Sequence, residues 1–479
     1  SGWTTEAMSQ LAKDLGITAS QVVSVSTSGP SGTGPSYTLN PGISAGDAET
    51  APANATVTAA PNPSTPGVYN LSGLDFDGGK GTTIVPLTPD NPVKEVMLGG
   101  GDKAIVEAEN QSGSLKITTT SNGDQTVFVQ QGAKTTGQPM DGPDALDLTV
   151  NGAGVTTVTA SIPGSNSAAA KTSGDWAVET LNIDVANADG TALLSGASQT
   201  INSGGIDYGQ ATTASFTSVT DIVLEGEGNV VTYVGFGKGG QDITVNASNL
   251  AGGIDMQKGG ITASNIDFTG SAAADNISMT PWGNTERIDL GAGSDYIQIN
   301  LNQISGIKDG PQPIPTGTKF AKVTVEMGSN GNAGDGESDT IFFNNAVGTG
   351  IGGDRYPHAS QSNVLLSVED FETGSDHVTW SNAGHTVTVS AFNAATLLAS
   401  FGITKAGNTA ITADDVTLVN KASDAATEAS IFVVEGNSYV LVNNSYATDT
   451  NWSLANGGST LIQLVGVDDV TSMATIQGS

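Results

Sequence analysis

The chain has 479 residues, 48 of them acidic and 16 basic, for a formal net charge of −32, and it contains no cysteine. Those values exclude a basic face for nucleic acid, a disulfide scaffold and a thiolate metal site. Its 63 glycines are about 13% of the chain, roughly twice the usual share, and no apolar run approaches the roughly 18 residues that a spanning helix needs.

Val, Ile and Leu recur too closely for a disordered acidic tail, so the composition predicts a large acidic β protein of several domains. The chain opens on Ser1 without a basic stretch leading into an apolar run. An amino-terminal export signal is therefore expected to be absent or removed. Residues 4–15 read as a helix, with Thr4 or Thr5 as cap, Met8, Leu11, Ala12 and Leu15 as the apolar stripe, and Gly16 as its stop. A turn and a short strand follow to about residue 28. From 29 to 70 the composition shifts to Pro, Gly, Ser, Ala and Thr, which predicts an extended arm or linker.

From about Leu71 the period is two. Ser114–Thr120, Thr126–Gln130, Asp147–Asn151, Thr180–Val185, Asp221–Glu225, Asp242–Asn246, Lys322–Met327 and Thr386–Ser390 all read as short β-branched strands bounded by turn residues. Ala391–Phe401 ahead of Gly402 is the second expected helix. Gly-Asp pairs such as Gly101-Asp102 and Gly123-Asp124 recur just before strands. This punctuation predicts an all-β fold of irregular, β-solenoid or β-roll-like stacked strands with a small amino-terminal helix, against the plainer reading of turns in an ordinary β protein. The expected divisions are 1–28, 29–70, a stacked-strand region 71–260, a calcium-binding β region 261–390 and a β-rich carboxy-terminal region 391–479.

The sharpest motif is Leu290-Gly291-Ala292-Gly293-Ser294-Asp295-Tyr296-Ile297-Gln298, which fits the nonapeptide G-G-x-G-x-D-x-U-x at every defined position but the first. Gly270-Ser271-Ala272-Ala273-Ala274-Asp275-Asn276-Ile277 repeats the Asp and apolar positions, with Ala273 in the fourth place. Asp335-Gly336-Glu337-Ser338-Asp339-Thr340-Ile341 and Gly374-Ser375-Asp376-His377-Val378 give two weaker copies. Glycine lets such a turn take positive φ and aim its carbonyls inward. A carboxylate and a second stacked turn then complete six to eight hard oxygens, the ligand set of Ca²⁺. Candidate ligands are Gly270, Ala272, Asp275, Asp289, Gly291, Gly293, Asp295, Asp335, Glu337, Asp339, Gly374 and Asp376, serving several ions.

These segments resemble the type I-secreted repeats-in-toxin (RTX) proteins, and among them the bacterial surface-layer proteins. The nonapeptide region carries the first resemblance. Phe216–Glu227, Gln241–Asp255 and Phe268–Ile277 are similar to the strands preceding the calcium turns of such surface-layer proteins. Val368–Thr379, Ser430–Val442 and Ser459–Val470 look like the closing β region and uncleaved export signal of the RTX group. The resemblance covers about 210–479, and the chain departs from it in having few intact nonapeptides. It implies calcium-dependent folding outside the cell and assembly of the chain with itself into a surface lattice. Cell-surface polysaccharide or lipopolysaccharide are the further partners it suggests. A secreted calcium-binding adhesin or biofilm-matrix protein that holds a glycan is the alternative.

Catalysis is not expected. Only His358, His377 and His385 are present, and no H-E-x-x-H occurs. Gly42-Ile43-Ser44-Ala45-Gly46 matches the nucleophile elbow but lies in the Pro-rich arm, not between a buried strand and a helix. Gly235–Gly240 matches a dinucleotide fingerprint but leads into a strand, without the helix that would hold a pyrophosphate.

Overall fold

The structure, a computed structural model, describes residues 22–26, 36–39, 49–51, 53–59, 64–86, 92–108, 113–130, 143–161, 178–202, 205–211, 215–281, 283, 285–300, 320–328, 336–344, 363–380, 391–419, 429–443, 459–468 and 476–478. The chain is mostly strand and falls into two compact units, Ser1–Phe236 with Asn249–Gly259, and Gly237–Ser248 with Gly260–Ser479.

In the first unit successive strands alternate between two parallel sheets. Val68–Leu71, Glu95–Leu98, Ser114–Thr119, Ala145–Val150, Thr180–Val185 and Asp221–Gly226 lie side by side in one. Ala55–Thr58, Gly81–Val85, Lys103–Glu107, Gln125–Gln130, Gly154–Ser161 and Gly190–Asn202 form the other. A small separate pair joins Glu49–Ala51 to Leu74–Phe76.

Period two explains the burial. Every second side chain of a strand faces inward, and parallel register stacks those side chains into columns. Ile117, Leu148, Ile183 and Leu224 form one such column, each no more than 1% exposed. Ala104, Val127, Val158 and Leu194 form its counterpart in the second sheet.

The stretch expected as an arm contains the strands 36–39, 49–51 and 55–58 and all but the last residue of 68–71. None of these strands contains a proline, so no ladder donor is lost within them. The expected helix over 4–15, the strand Thr386–Ser390 and the elbow-like Gly42–Gly46 lie outside the described residues.

The second unit repeats the alternation. Asp242–Leu250, Asn265–Thr269, Thr285–Asp289, Phe320–Glu326, Asn363–Glu369 and Ser459–Leu464 form one parallel run. Asn276–Pro281, Tyr296–Asn300, Thr340–Asn344, His377–Trp380 and Ile476–Gly478 form the other. Buried Ile277, Ile297, Ile341 and Val378 stack in register along it.

After Ser459–Leu464 the first run turns antiparallel through Asn437–Asn443, Ala429–Val434 and Thr417–Val419. The helix Ala391–Ser400, close to its expected span, packs there in a core of Leu397, Leu398, Phe401, Phe432, Tyr439 and Leu461. Phe432 and Tyr439 stack with ring centroids 5.5 Å apart. Among the described residues no helix is long and apolar enough to cross a membrane.

Candidate metal centre

Four of the candidate aspartates occupy one structural position, the residue just before a strand of the second run. Asp275 precedes Asn276–Pro281, Asp295 precedes Tyr296–Asn300, Asp339 precedes Thr340–Asn344, and Asp376 precedes His377–Trp380. All four are buried, none more than 3% exposed. Adjacent strands are about 4.8 Å apart, so parallel register places the turns over one another.

The result is a ladder. The Asp275 N–H donates to Asp295 Oδ1 at 2.7 Å, the Asp295 N–H to Asp339 Oδ1 at 2.8 Å, and the Asp339 N–H to Asp376 Oδ1 at 3.2 Å. Its two ends close locally. Ser271 donates its N–H (2.8 Å) and its hydroxyl (2.6 Å) to the Asp275 carboxylate. At the other end the Glu372 N–H donates to Asp376 Oδ2 at 2.6 Å, and the Asp376 N–H returns to the Glu372 carbonyl at 3.0 Å.

Glycine makes the stacking possible. Gly291 has φ +90°, and a Cβ there would lie 2.3 Å from the Ser271 carbonyl oxygen. A Cβ on Gly293, at φ +115°, would lie 2.6 Å from the Ala273 backbone carbon. A Cβ on Gly270 would meet the Leu290 carbonyl oxygen at 1.9 Å. The Ala292 N–H donates to the Ser271 carbonyl at 3.1 Å, tying the two turns together. Carbonyl oxygens and carboxylates therefore share one narrow interface between turns.

The other candidates distribute differently. Asp289 is buried, but it opens its turn at the end of a strand of the opposite run. Its carboxylate accepts from Arg287 and from the Gly291 N–H, the latter at 3.1 Å, so it is held apart from the ladder. Arg287 also donates to Glu326. Burial works to lower the Arg287 pKa, while the charges of Asp289 and Glu326 raise it, and the net shift is upward.

Glu337 is exposed and accepts from the Ser294 hydroxyl at 3.3 Å. Ala272 and Gly374 are exposed turn residues, and Asp335 lies outside the described residues. Ser271 and Ser338, whose hydroxyl donates to the Ser375 carbonyl at 2.7 Å, were not singled out by the motif. The signal for Ser271 is its place four residues before the Asp, where the Asp carboxylate folds back on its own turn.

Among the described residues no group of three or more His, Asp or Glu side chains converges as a metal cluster. A cation here would draw on carboxylates from adjacent turns together with backbone carbonyls, an all-oxygen set suited to Ca²⁺. In Asp295 and Asp339 the N–H of the preceding turn occupies Oδ1, so an ion would be met by Oδ2. Comparisons of the chain with protein-family models, with curated proteins and with solved structures give no match.

Proposed function

We propose that this chain is a structural protein, a calcium-dependent, self-assembling subunit of an extracellular bacterial surface layer exported by type I secretion. The observation that carries the reading is the ladder Asp275–Asp295–Asp339–Asp376, four buried carboxylates at one position of four stacked turns. Strands that alternate between two parallel runs, with glycine turns between them, suit a β-roll-like solenoid whose turns bind ions.

The charge supplies a physical reason for ion control. A chain with 48 acids and 16 bases repels itself and its neighbours, and divalent cations supply the positive charge that Lys and Arg do not. Ion binding to the folded state alone stabilises it by RT ln(1 + [L]/Kd) per site. Calcium is scarce inside a bacterium and abundant outside, so the same sites would couple folding to export. Cell-surface polysaccharide or lipopolysaccharide is the natural anchor for such a layer.

Electron microscopy of the purified chain with and without Ca²⁺ tests the reading. Ordered sheets or tubes that form with Ca²⁺ and dissolve on chelation are expected. A chain that stays monomeric in Ca²⁺ and shows saturable glycan binding would make it an adhesin instead. A chain whose circular dichroism and assembly ignore both Ca²⁺ and chelator overturns the calcium reading altogether.

A further inference from the structure

The strand Gly190–Asn202 is 13 residues long, and only its first part lies between parallel neighbours. Gly154–Ser161 accompanies it as far as the pair Ala160–Gly196, and Asn229–Thr232 as far as Leu194–Thr232. Beyond that, from Ala197–Gln210 to Asn202–Gly205, its described ladder runs antiparallel to Gly205–Ala211. At about 3.4 Å per residue, six residues carry this two-stranded extension about 20 Å past its parallel neighbours.

Two strands alone are marginally stable in water. Edge strands of soluble proteins are normally blunted by Lys, by other charges or by Pro. Residues 196–211 contain no Lys, no Arg and no Pro, and their only charged side chain is Asp207. In a chain of net charge −32, a segment with a single charge lets two copies approach with little repulsion.

We propose that Gly205–Ala211 is an assembly strand that pairs antiparallel with the same strand of a second copy about a two-fold axis. An isologous contact of this kind uses one patch twice. It gives each edge backbone partners beyond those found among the described residues, as strand addition does elsewhere. The proposal rests on the self-assembly reading and names the strand at which copies first meet.

The absence of cysteine makes the test clean. Single variants Ile206→Cys, Tyr208→Cys and Gln210→Cys are made in the full chain, kept dilute in chelator and oxidised mildly. The position nearest the two-fold is expected to give a disulfide-linked dimer, with a yield at least about tenfold above Gln199→Cys or Ile201→Cys on the inner strand, because side-by-side pairing creates a high effective concentration. Tyr208→Pro, which removes a ladder donor, is expected to abolish the dimer in sedimentation velocity while circular dichroism stays unchanged.

Equal cross-linking from both strands, or a monomer at every position, overturns the proposal, and so does coverage of this edge by another molecule. Sheets that form with Ca²⁺ without a 205–211 cross-link sink this inference and leave the lattice reading standing. A cross-linked dimer that never forms sheets does the reverse.

Discussion

The backbone N–H of Asp275 donates to the carboxylate of Asp295 at 2.7 Å, twenty residues further along the chain. The side chain that a calcium motif marks as an ion ligand is thus also the acceptor that holds the neighbouring turn. These two roles separate by substitution.

Asp295→Asn keeps an oxygen at the acceptor position and removes the charge, whereas Asp295→Ala removes both. In chelator, the alanine variant is expected to lose about 1–3 kcal/mol by stranding the Asp275 N–H, and the asparagine variant less. On adding Ca²⁺, the parent's urea midpoint rises, and both variants respond less while binding calcium more weakly. Wild-type calorimetric titration by either variant would remove Asp295 from the ligand set.

Gly291 and Gly374 both have positive φ, at +90° and +106°, but only Gly291 is crowded. Alanine at Gly374 meets nothing within 4 Å, so it should cost about 1–3 kcal/mol for the backbone conformation alone. Gly291→Ala carries that cost plus the clash with the Ser271 carbonyl. Urea unfolding of both variants measures the difference, and equal midpoints would mean the turns are not stacked this tightly.

Arg287 bridges Asp289, whose side chain is 3% exposed, and Glu326. Arg287→Met leaves that buried carboxylate beside a second acid. Breaking a buried pair is costly, but Arg287 is 41% exposed, so a loss of about 1–3 kcal/mol is expected. Arg287→Lys should recover only part, because an ammonium lacks the fork that bridges two carboxylates. Chemical denaturation of the two variants provides the check.

Near the carboxy terminus, Lys405 donates to both oxygens of Asp415, at 2.9 and 2.8 Å. The Lys405 hydrogen bonds, and then those from the Thr412 hydroxyl and N–H, lower the Asp415 pKa to about 2. A depressed folded-state pKa means the stabilisation is complete above the unfolded value near 4 and is lost as pH falls toward 2. Lys405→Met should move the Asp415 titration upward in an NMR pH series. An unmoved titration would show that the lysine does not hold the carboxylate.

Much of this architecture was legible in the sequence, because period two and turn residues are local signals. Thr180–Val185 and the helix over 391–400 fall where their patterns put them. Which sheet each strand joins was not legible, since alternation reports that one face is buried and not what it is buried against. The antiparallel turn of Asn437–Asn443 and Ala429–Val434 stayed hidden for the same reason. Within the candidate site, Asp289 and Asp295 look alike as acids beside glycines. What parts them is Arg287, two residues before Asp289 and therefore on the same face of its strand. That cue needs the strand boundary before it can be used.

The ladder also has a direction and two stops. Each internal N–H reaches forward to the next turn's carboxylate, so a turn is completed only by its successor. At one end Ser271 occupies the Asp275 carboxylate; at the other, Asp376 and Glu372 close on each other. Beyond Asp376 the run itself continues, with His377–Trp380 pairing with Ile476–Gly478, so the aspartate column stops inside the molecule and not at a face that a neighbour could extend. The aspartate stack thus sets its own length within one molecule, and on the lattice reading copies would meet at edges that the aspartates do not finish.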